Sequence, residues 1–233
     1  MSYDNEARNF IWAKGFLSRH GYRYRFQWEL YENLLRKNVP CDGVWVDLGC
    51  GDNRWLERIS ARFKVGVDLV TRATLRDRRF INADVVNLPF ADGSVDALSA
   101  RFVLEHLTEP KAFFVEAARV LKQGGSLVVQ TTNSASPPIF LISRIPFYVK
   151  KPLVRKLCCV SRSDVFPTCY KYNKRGLFEK SISGLEPVEL VLHTAVSFSR
   201  RWLFLLSYLY ERITDVKLFN FLKTSISAVY RKV

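Results

Sequence analysis

A chain of 233 residues with 48% hydrophobic and 14% aromatic side chains can bury one α/β domain with a sizeable core, and that composition excludes a disordered segment. Its net charge of +14 is high for the length and favours acidic partners: nucleic acid, anionic lipid or phosphorylated substrates. Five cysteines without zinc-finger spacing and three scattered histidines give neither a disulfide framework nor a metal finger, so reduced thiols in a cytosolic protein are expected.

The start, Met1 to Glu6, is polar and acidic, and no secretory signal is expected there. Apolar runs fall well short of the ~20 residues a membrane-spanning helix needs. Residues 4–38 read as two helices broken at His20-Gly21, loaded with aromatics at helical spacing. Those aromatics are mostly core, with a lid over the following site as the lesser reading. Pro40 and Asp42-Gly43 close this N-terminal cap, residues 1–40.

Strands and helices then alternate. Strands are predicted at Val44–Leu48, Val65–Asp68, Phe80–Ala83, Val95–Ala100 and Ser126–Thr131. Helices are predicted at Arg54–Ala61 and Lys111–Lys122, with a shorter one near Leu104, and Asp52 and Asn53 are the N-cap types before Arg54. Alternation of this kind predicts a doubly wound parallel sheet whose ligand sits outside the carboxyl ends of the strands. Beyond it, Gly184–His193 reads as a strand, Arg200–Lys223 as one long helix and Ser225–Lys232 as a last, antiparallel strand. Cys158 and Cys159 read as small buried hydrophobes.

The stretch Val44-Trp45-Val46-Asp47-Leu48-Gly49-Cys50-Gly51 organises the rest. A strand ending in two glycines and turning into a helix brings main-chain amides close to a ligand. Asp47, Asp68 and Asp84 fall at the ends of three successive strands, and an acid at the second strand tip can accept both ribose hydroxyls. Three acids at equivalent positions point to a nucleoside site. A dinucleotide fingerprint would place its third glycine at Arg54, and a pyrophosphate is a poor neighbour for Asp47. A ligand with an amino group and a positive centre suits Asp47 better, and S-adenosylmethionine is such a ligand.

These residues, followed by Gly66-Val67-Asp68, Ala83-Asp84-Val85-Val86-Asn87-Leu88-Pro89-Phe90, Leu104-Glu105-His106-Leu107 and Ala118 to Gly125, resemble the class I S-adenosylmethionine-dependent methyltransferases, most of all the methyltransferase type 11 family. The resemblance covers residues 44–132, the expected cofactor-binding core. It implies a Rossmann-like, seven-stranded, mostly parallel sheet with an antiparallel last strand. It implies that Gly49 and Gly51, with Cys50 between them, line the methionine end of the cofactor, with Asp47 behind. Asp68 would hold the ribose, Leu69 would pack on the adenine, and Asp84 with the Val85 amide would meet the adenine edge. Ala100 and Arg101 would lie near the reacting methyl group. His106 is the candidate general base, with a structural role as the alternative. No metal is expected, because Phe102 stands where a glutamate ligand would fall.

Residues 134–183 form a Ser/Pro-rich basic insertion on the expected substrate side, and residues 184–233 form a C-terminal strand-helix-strand unit. Between Arg144 and Lys180, ten Lys and Arg face only Asp164 and Glu179. Trp202, Leu205, Leu206, Leu209, Ile213 and Val216 fall on one helical face. That stripe either packs on the sheet or docks on an anionic membrane, on the inner face of which the protein would be peripheral. The reading is methyl transfer to a hydroxyl of a small or lipid-linked molecule: a glycan precursor, quinone or isoprenoid. A nucleic-acid methyltransferase, a non-catalytic S-adenosylmethionine-binding module and a nicotinamide-dependent oxidoreductase stay open as alternatives, although Ser99-Ala100-Arg101-Phe102 after the fourth strand argues against base methylation and nucleic acid is not the expected partner; the oligomeric state is not readable.

Overall fold

The computed structural model describes residues 3–70, 79–158 and 166–233, with the side chains of 3–6 and 153–158 left aside. Among them lie strands β1 (Val44–Leu48), β2 (Phe63–Asp68), β3 (Phe80–Asn82), β4 (Val95–Arg101), β5 (Leu121–Thr132), β6 (Leu185–His193) and β7 (Ser225–Lys232). The helices are α1 (Tyr3–Arg19), α2 (Gln27–Asn38), α3 (Arg54–Arg58), α4 (Pro110–Val120), α5 (Pro137–Arg144), α6 (Phe147–Cys158), α7 (Arg175–Phe178) and α8 (Arg201–Thr214). The expectation for Cys158 and Cys159 lies outside the described residues.

One sheet runs in the order β3-β2-β1-β4-β5-β7-β6. β7 lies antiparallel between β5 and β6, and the other pairings are parallel, as the sequence pattern predicts for the last strand. The chain leaves β1 for β2 on one side and returns to pair β4 on the other. The crevice of a doubly wound sheet therefore opens above β1 and β4.

Alternation of side chains fixes what each face holds. Val46 and Leu48 of β1, Leu98 and Ala100 of β4, and Ile226, Ala228 and Tyr230 of β7 join Phe113 and Phe114 of α4 in one apolar cluster. Trp45, Ala97, Val128 and Val229, one residue out of step, pack under Tyr31, Leu34 and Leu35 of α2 and Trp55 and Leu56 of α3. A third cluster joins α1 to α8 through Ala13, Leu17, Phe26 and Phe204, with edge-to-face ring contacts from Trp12 and Phe16. The N-terminal aromatics therefore split between two packing jobs rather than forming a single layer.

Four boundaries differ from expectation. The 200–223 segment is not one helix. After α8 the chain bends at Asp215 and Val216 into a 3-10 segment, Lys217–Leu222. The Asp215 carboxylate takes Lys223 Nζ at 2.7 Å and the Tyr22 hydroxyl, and both contacts need the chain to turn back. The helix after the glycine turn stops at Arg58, because Ile59 is extended and buried in the α2–α3 cluster. Asn53 stands at the N-cap position yet caps nothing: it is left-handed (φ 60°) and its amide donates to Arg79 O at 3.1 Å. Finally, α4 gives way to β5 at Leu121, five residues before the predicted strand start.

Phe114 is wholly buried among Phe113, Tyr172 and Tyr230. Phe114→Ala is expected to cost about 3–5 kcal/mol of unfolding free energy, read as a lower urea midpoint. An unchanged midpoint would mean that this face of the sheet is not the core.

Candidate functional site

β1 ends at Leu48 and the chain turns through Gly49 (φ 66°), Gly51 (φ 59°) and Asn53 (φ 60°). The Gly49 and Cys50 amides both donate to Val67 O, at 2.7 and 3.1 Å, so the turn is tied to β2. A Cβ on Gly49 would lie 2.3 Å from Val103 Cγ2, and one on Gly66 would lie 1.9 Å from Asn53 Oδ1. Glycine at these places is what lets the ends of β1, β2 and β4 meet. Phe102, immediately after β4, is itself left-handed (φ 56°), which brings Val103 back over the turn.

Asp47 is 2% exposed, on the same sheet face as Trp45 and α2–α3. Its Oδ1 accepts from Ser99 Oγ at 2.6 Å, and that hydroxyl accepts from Trp45 Nε1 at 2.9 Å. Its Oδ2 has no hydrogen-bond partner. Burial pushes the carboxyl up to about 7, against the Ser99 bond and the field of Arg101, which both lower it.

Arg101, two residues beyond Ser99, projects from the same face. Its Nε donates to Gln130 Oε1 at 2.7 Å, and its guanidinium lies over the rings of Phe102, Trp55 and Tyr31 at 4.8, 5.5 and 5.7 Å. Burial pulls it below its usual range, yet a guanidinium there stays charged. Gln130 in turn donates to Gln27 O and Ser227 Oγ, so the arginine is held from α2 and β7 together.

Asp47, Gly49, Cys50, Asp52, Arg54, Trp55 and Arg101 line one cleft of about 110 Å³. That volume holds one end of a nucleoside-sized ligand rather than the whole of it. The remaining acids lie further along the rim. Asp68 accepts the Gly51 amide on Oδ2 at 3.0 Å and the Val70 amide on Oδ1 at 3.1 Å. Leu69 beside it is 64% exposed. Asp84 Oδ1 accepts the Val86 amide at 3.1 Å. The side chains of Val85 and Ala100 point into the α4 core, so only their main chain is available to a ligand.

On the other side of Arg101, the 3-10 turn Leu104–His106 meets the insertion. His106 Nδ1 lies 2.6 Å from Pro167 O. A carbonyl only accepts, so Nδ1 carries a proton, and in the neutral ring Nε2 is then the nitrogen with the free lone pair. Glu105 points the opposite way: buried, it accepts from Thr131 Oγ1 at 2.7 Å, and Thr131 accepts from Asn173 Nδ2 at 2.6 Å. Burial pushes Glu105 up, with the Thr131 bond opposing. The Cys169 and Tyr170 amides close on Glu105 O at 2.7 and 3.2 Å.

Ser99, Gln130 and Thr131 were not among the residues predicted for the site, and Glu105, a candidate to orient His106, turns to Thr131 instead. The available signal was polar side chains inside otherwise apolar strands, and Ser99 and Arg101 share the two-residue period of the sheet face.

Residues 46–129 match the family model described as a methyltransferase domain. The demethylmenaquinone methyltransferase of Renibacterium salmoninarum is 36% identical over 118 residues, which is 50% of this chain and 48% of that protein. That of Staphylococcus epidermidis is 30% identical over 142 residues, 54% of this chain and 59% of that protein. The chain thus spans about half the length of the curated relatives it matches. The crystal structure of an S-adenosylmethionine-dependent methyltransferase from Mesorhizobium loti superposes with a TM-score of 0.56 at 16% identity, covering 88% of this chain and 97% of that one. That likeness bears out the predicted fold class.

A buried carboxyl near 7 binds more protons folded than unfolded between about pH 4 and 7, so Asp47 makes the fold less stable as pH rises through that window. Asp47→Asn removes the charge and keeps the acceptor for Ser99. It is expected to stabilise the protein by about 1–3 kcal/mol at pH 8 and by less than half of that at pH 5. Melting curves at the two pH values check it; equal differences at both would show that Asp47 is not buried as a charge.

Proposed function

We propose that residues 46–129, which match a methyltransferase domain, form an S-adenosylmethionine-dependent catalytic core, and that the protein transfers the methyl group to a hydroxyl of a small, lipid-linked acceptor of the quinone or isoprenoid kind. The observation that carries the cofactor side is the oppositely charged pair in the cleft. Asp47 offers one buried, unpartnered carboxylate oxygen, and Arg101 offers a fixed guanidinium. An amino-acid end bearing one ammonium and one carboxylate matches that pair, whereas a pyrophosphate would meet the charge of Asp47. When bound, the sulfonium supplies a methyl group already activated for in-line displacement, so alignment and exclusion of water are the protein's task.

The chain's own residues divide that task. Gly49, Cys50 and Gly51 present main chain to the methionine end. Asp68 holds the ribose hydroxyls, exposed Leu69 gives the adenine an apolar bed, and Asp84 with the Val85 amide takes its polar edge. The Ala100 main chain and Arg101 flank the reacting centre. His106 holds its Nδ1 proton on Pro167 O, and its Nε2 accepts the proton of the acceptor hydroxyl as the oxygen attacks. In this reading residues 44–132 are the cofactor core, 1–40 a cap, 134–183 the acceptor wall and 184–233 the C-terminal unit.

Support for a lipid-linked, anionic acceptor comes from the insertion. Its Cys169 and Tyr170 amides sit on Glu105 O, next to His106. Lys150 is buried, donates to Thr168 Oγ1 at 2.6 Å and lies over the Tyr170 ring, with no carboxylate in a salt bridge to it among the described residues. A buried ammonium without a counter-ion is costly and suits an anionic group on the acceptor. A quinone-type acceptor is in keeping with the names of the relatives in Renibacterium and Staphylococcus. Such an acceptor would bring the protein to the inner face of an anionic membrane. The net charge of +14 favours nucleic acid as the second reading.

Pure protein, labelled S-adenosylmethionine and fractionated cell extract test the reading by which fraction gains label. Label in the lipid fraction is expected. Label only on RNA would replace the acceptor class, and intact cofactor throughout would leave a binding module. Affinity for S-adenosylmethionine is expected to fall by up to about tenfold per pH unit below 7, as Asp47 gains its proton. In Asp47→Asn the affinity is expected to be weak and flat, which calorimetry measures. His106→Asn should lower kcat by about 10²–10⁴ with the cofactor affinity unchanged; unaltered turnover would make His106 structural.

A further inference from the structure

We infer that the outer face of α8 and the 3-10 segment after it form a docking surface for an anionic lipid bilayer, placed at the rim where the cleft opens. The inference rests on the acceptor reading above for its purpose but not for its geometry. α8 is split by what it touches. Phe204, Tyr208 and Glu211 face inward, against α1 and Lys223. Trp202, Leu205, Leu206, Leu209 and Ile213 face out, and Leu206 and Leu209 remain 58% and 57% exposed. At 3.6 residues per turn the outward five occupy a sector of about 100°. An apolar stripe of that width normally faces a core; here solvent lies outside it. The exposed apolar surface continues into Leu218, Phe219 and Phe221.

Position ties this face to the site. β7 begins at Ser225, paired with Thr132 and His193 at the carboxyl ends of β5 and β6, so the 3-10 segment before it lies on the rim. Asn133 Nδ2 donates to Phe221 O at 3.0 Å and Lys223 O at 2.8 Å, and α5, with Phe140 and Leu141 exposed, starts four residues later. The Tyr210 hydroxyl on Leu222 O holds α8 to the same segment.

Charge selects the occupant. Arg201 and Arg212 border the stripe on one side, and Lys217 follows it. None of these, nor Arg144 or Lys151 on α5 and α6, takes part in a salt bridge among the described residues. The α8 carboxylate Glu211 and Asp215 at its end are both taken by Lys223. An apolar stripe edged by cations that form no salt bridge among the described residues fits lipid tails under anionic headgroups. Among the described residues no helix is long and apolar enough to cross a membrane, so the contact is with one surface of the bilayer.

Cosedimentation with phosphatidylglycerol-containing vesicles, set against phosphatidylcholine alone, tests this with no cofactor or acceptor present. The wild-type chain is expected to pellet with the anionic vesicles and to be released by salt. The double variant Leu206→Glu/Leu209→Glu, both sites solvent-facing, should lose at least about tenfold in partitioning at an unchanged melting temperature. Arg212→Ser should weaken binding to the anionic vesicles alone. Failure of the wild type to pellet at low salt, or pelleting of the double variant like wild type, overturns the proposal. So does a wild-type dimer, seen by equilibrium sedimentation, that Leu206→Glu dissociates, since a second copy would then cover the face. Methyl transfer to a short-chain soluble acceptor by the same double variant reports separately on the chemistry, and should be retained.

Discussion

Three stretches of chain meet at the rim of the sheet because two glycines leave room for the side chains of Val103, Asn53 and Cys50, and the site depends on that contact. Gly49 lets the segment after β4 cross the glycine turn, Gly66 lets the turn lie on β2, and Phe102 takes up left-handed backbone so that Val103 can close the crossing. Once these strand ends are drawn together, Asp47, Ser99 and Arg101 share one face of two adjacent strands. The carboxylate and the guanidinium then line one narrow cleft.

The cost of that arrangement falls on Asp47. A carboxyl near 7 with one oxygen unsatisfied opposes folding at neutral pH, offset only in part by the Ser99 bond and the field of Arg101. Arg101 carries a smaller cost because three aromatic faces and Gln130 stand in for water. The polar network that holds it reaches α2 through Gln27 O and β7 through Ser227, so the cap and the last strand both bear on the cofactor end of the site. On the far side the same logic recurs, with Glu105 turned inward to Thr131 and His106 turned outward to the insertion. Two neighbouring ionisable residues are thereby given opposite environments.

The surface follows a different economy. α1 covers half of α8 with aromatic rings, and the other half stays bare beside arginines. A helix of this composition inside a soluble core would bury its widest apolar stripe first. Here the stripe that is buried is the narrower, aromatic one, which leaves the broad leucine face for a partner.

Much of the architecture was legible from residue order. Alternating apolar strands with glycine and aspartate at their ends point to a doubly wound sheet, and an antiparallel last strand was expected, while its place between β5 and β6 came from the structure. The glycine turn and the acids at the strand ends were legible too, because they are local signals that neighbours in sequence supply. The break at Asp215, the left-handed Asn53 that caps nothing, and the choice of which α8 face is covered were not, since each is decided by a contact with Tyr22, Lys223, Arg79 or α1 from far along the chain. Nor could sequence alone say that Ser99 and Gln130 would orient Asp47 and Arg101. A side chain's period tells which face it shares, but only the register of neighbouring strands puts two such groups within hydrogen-bond reach.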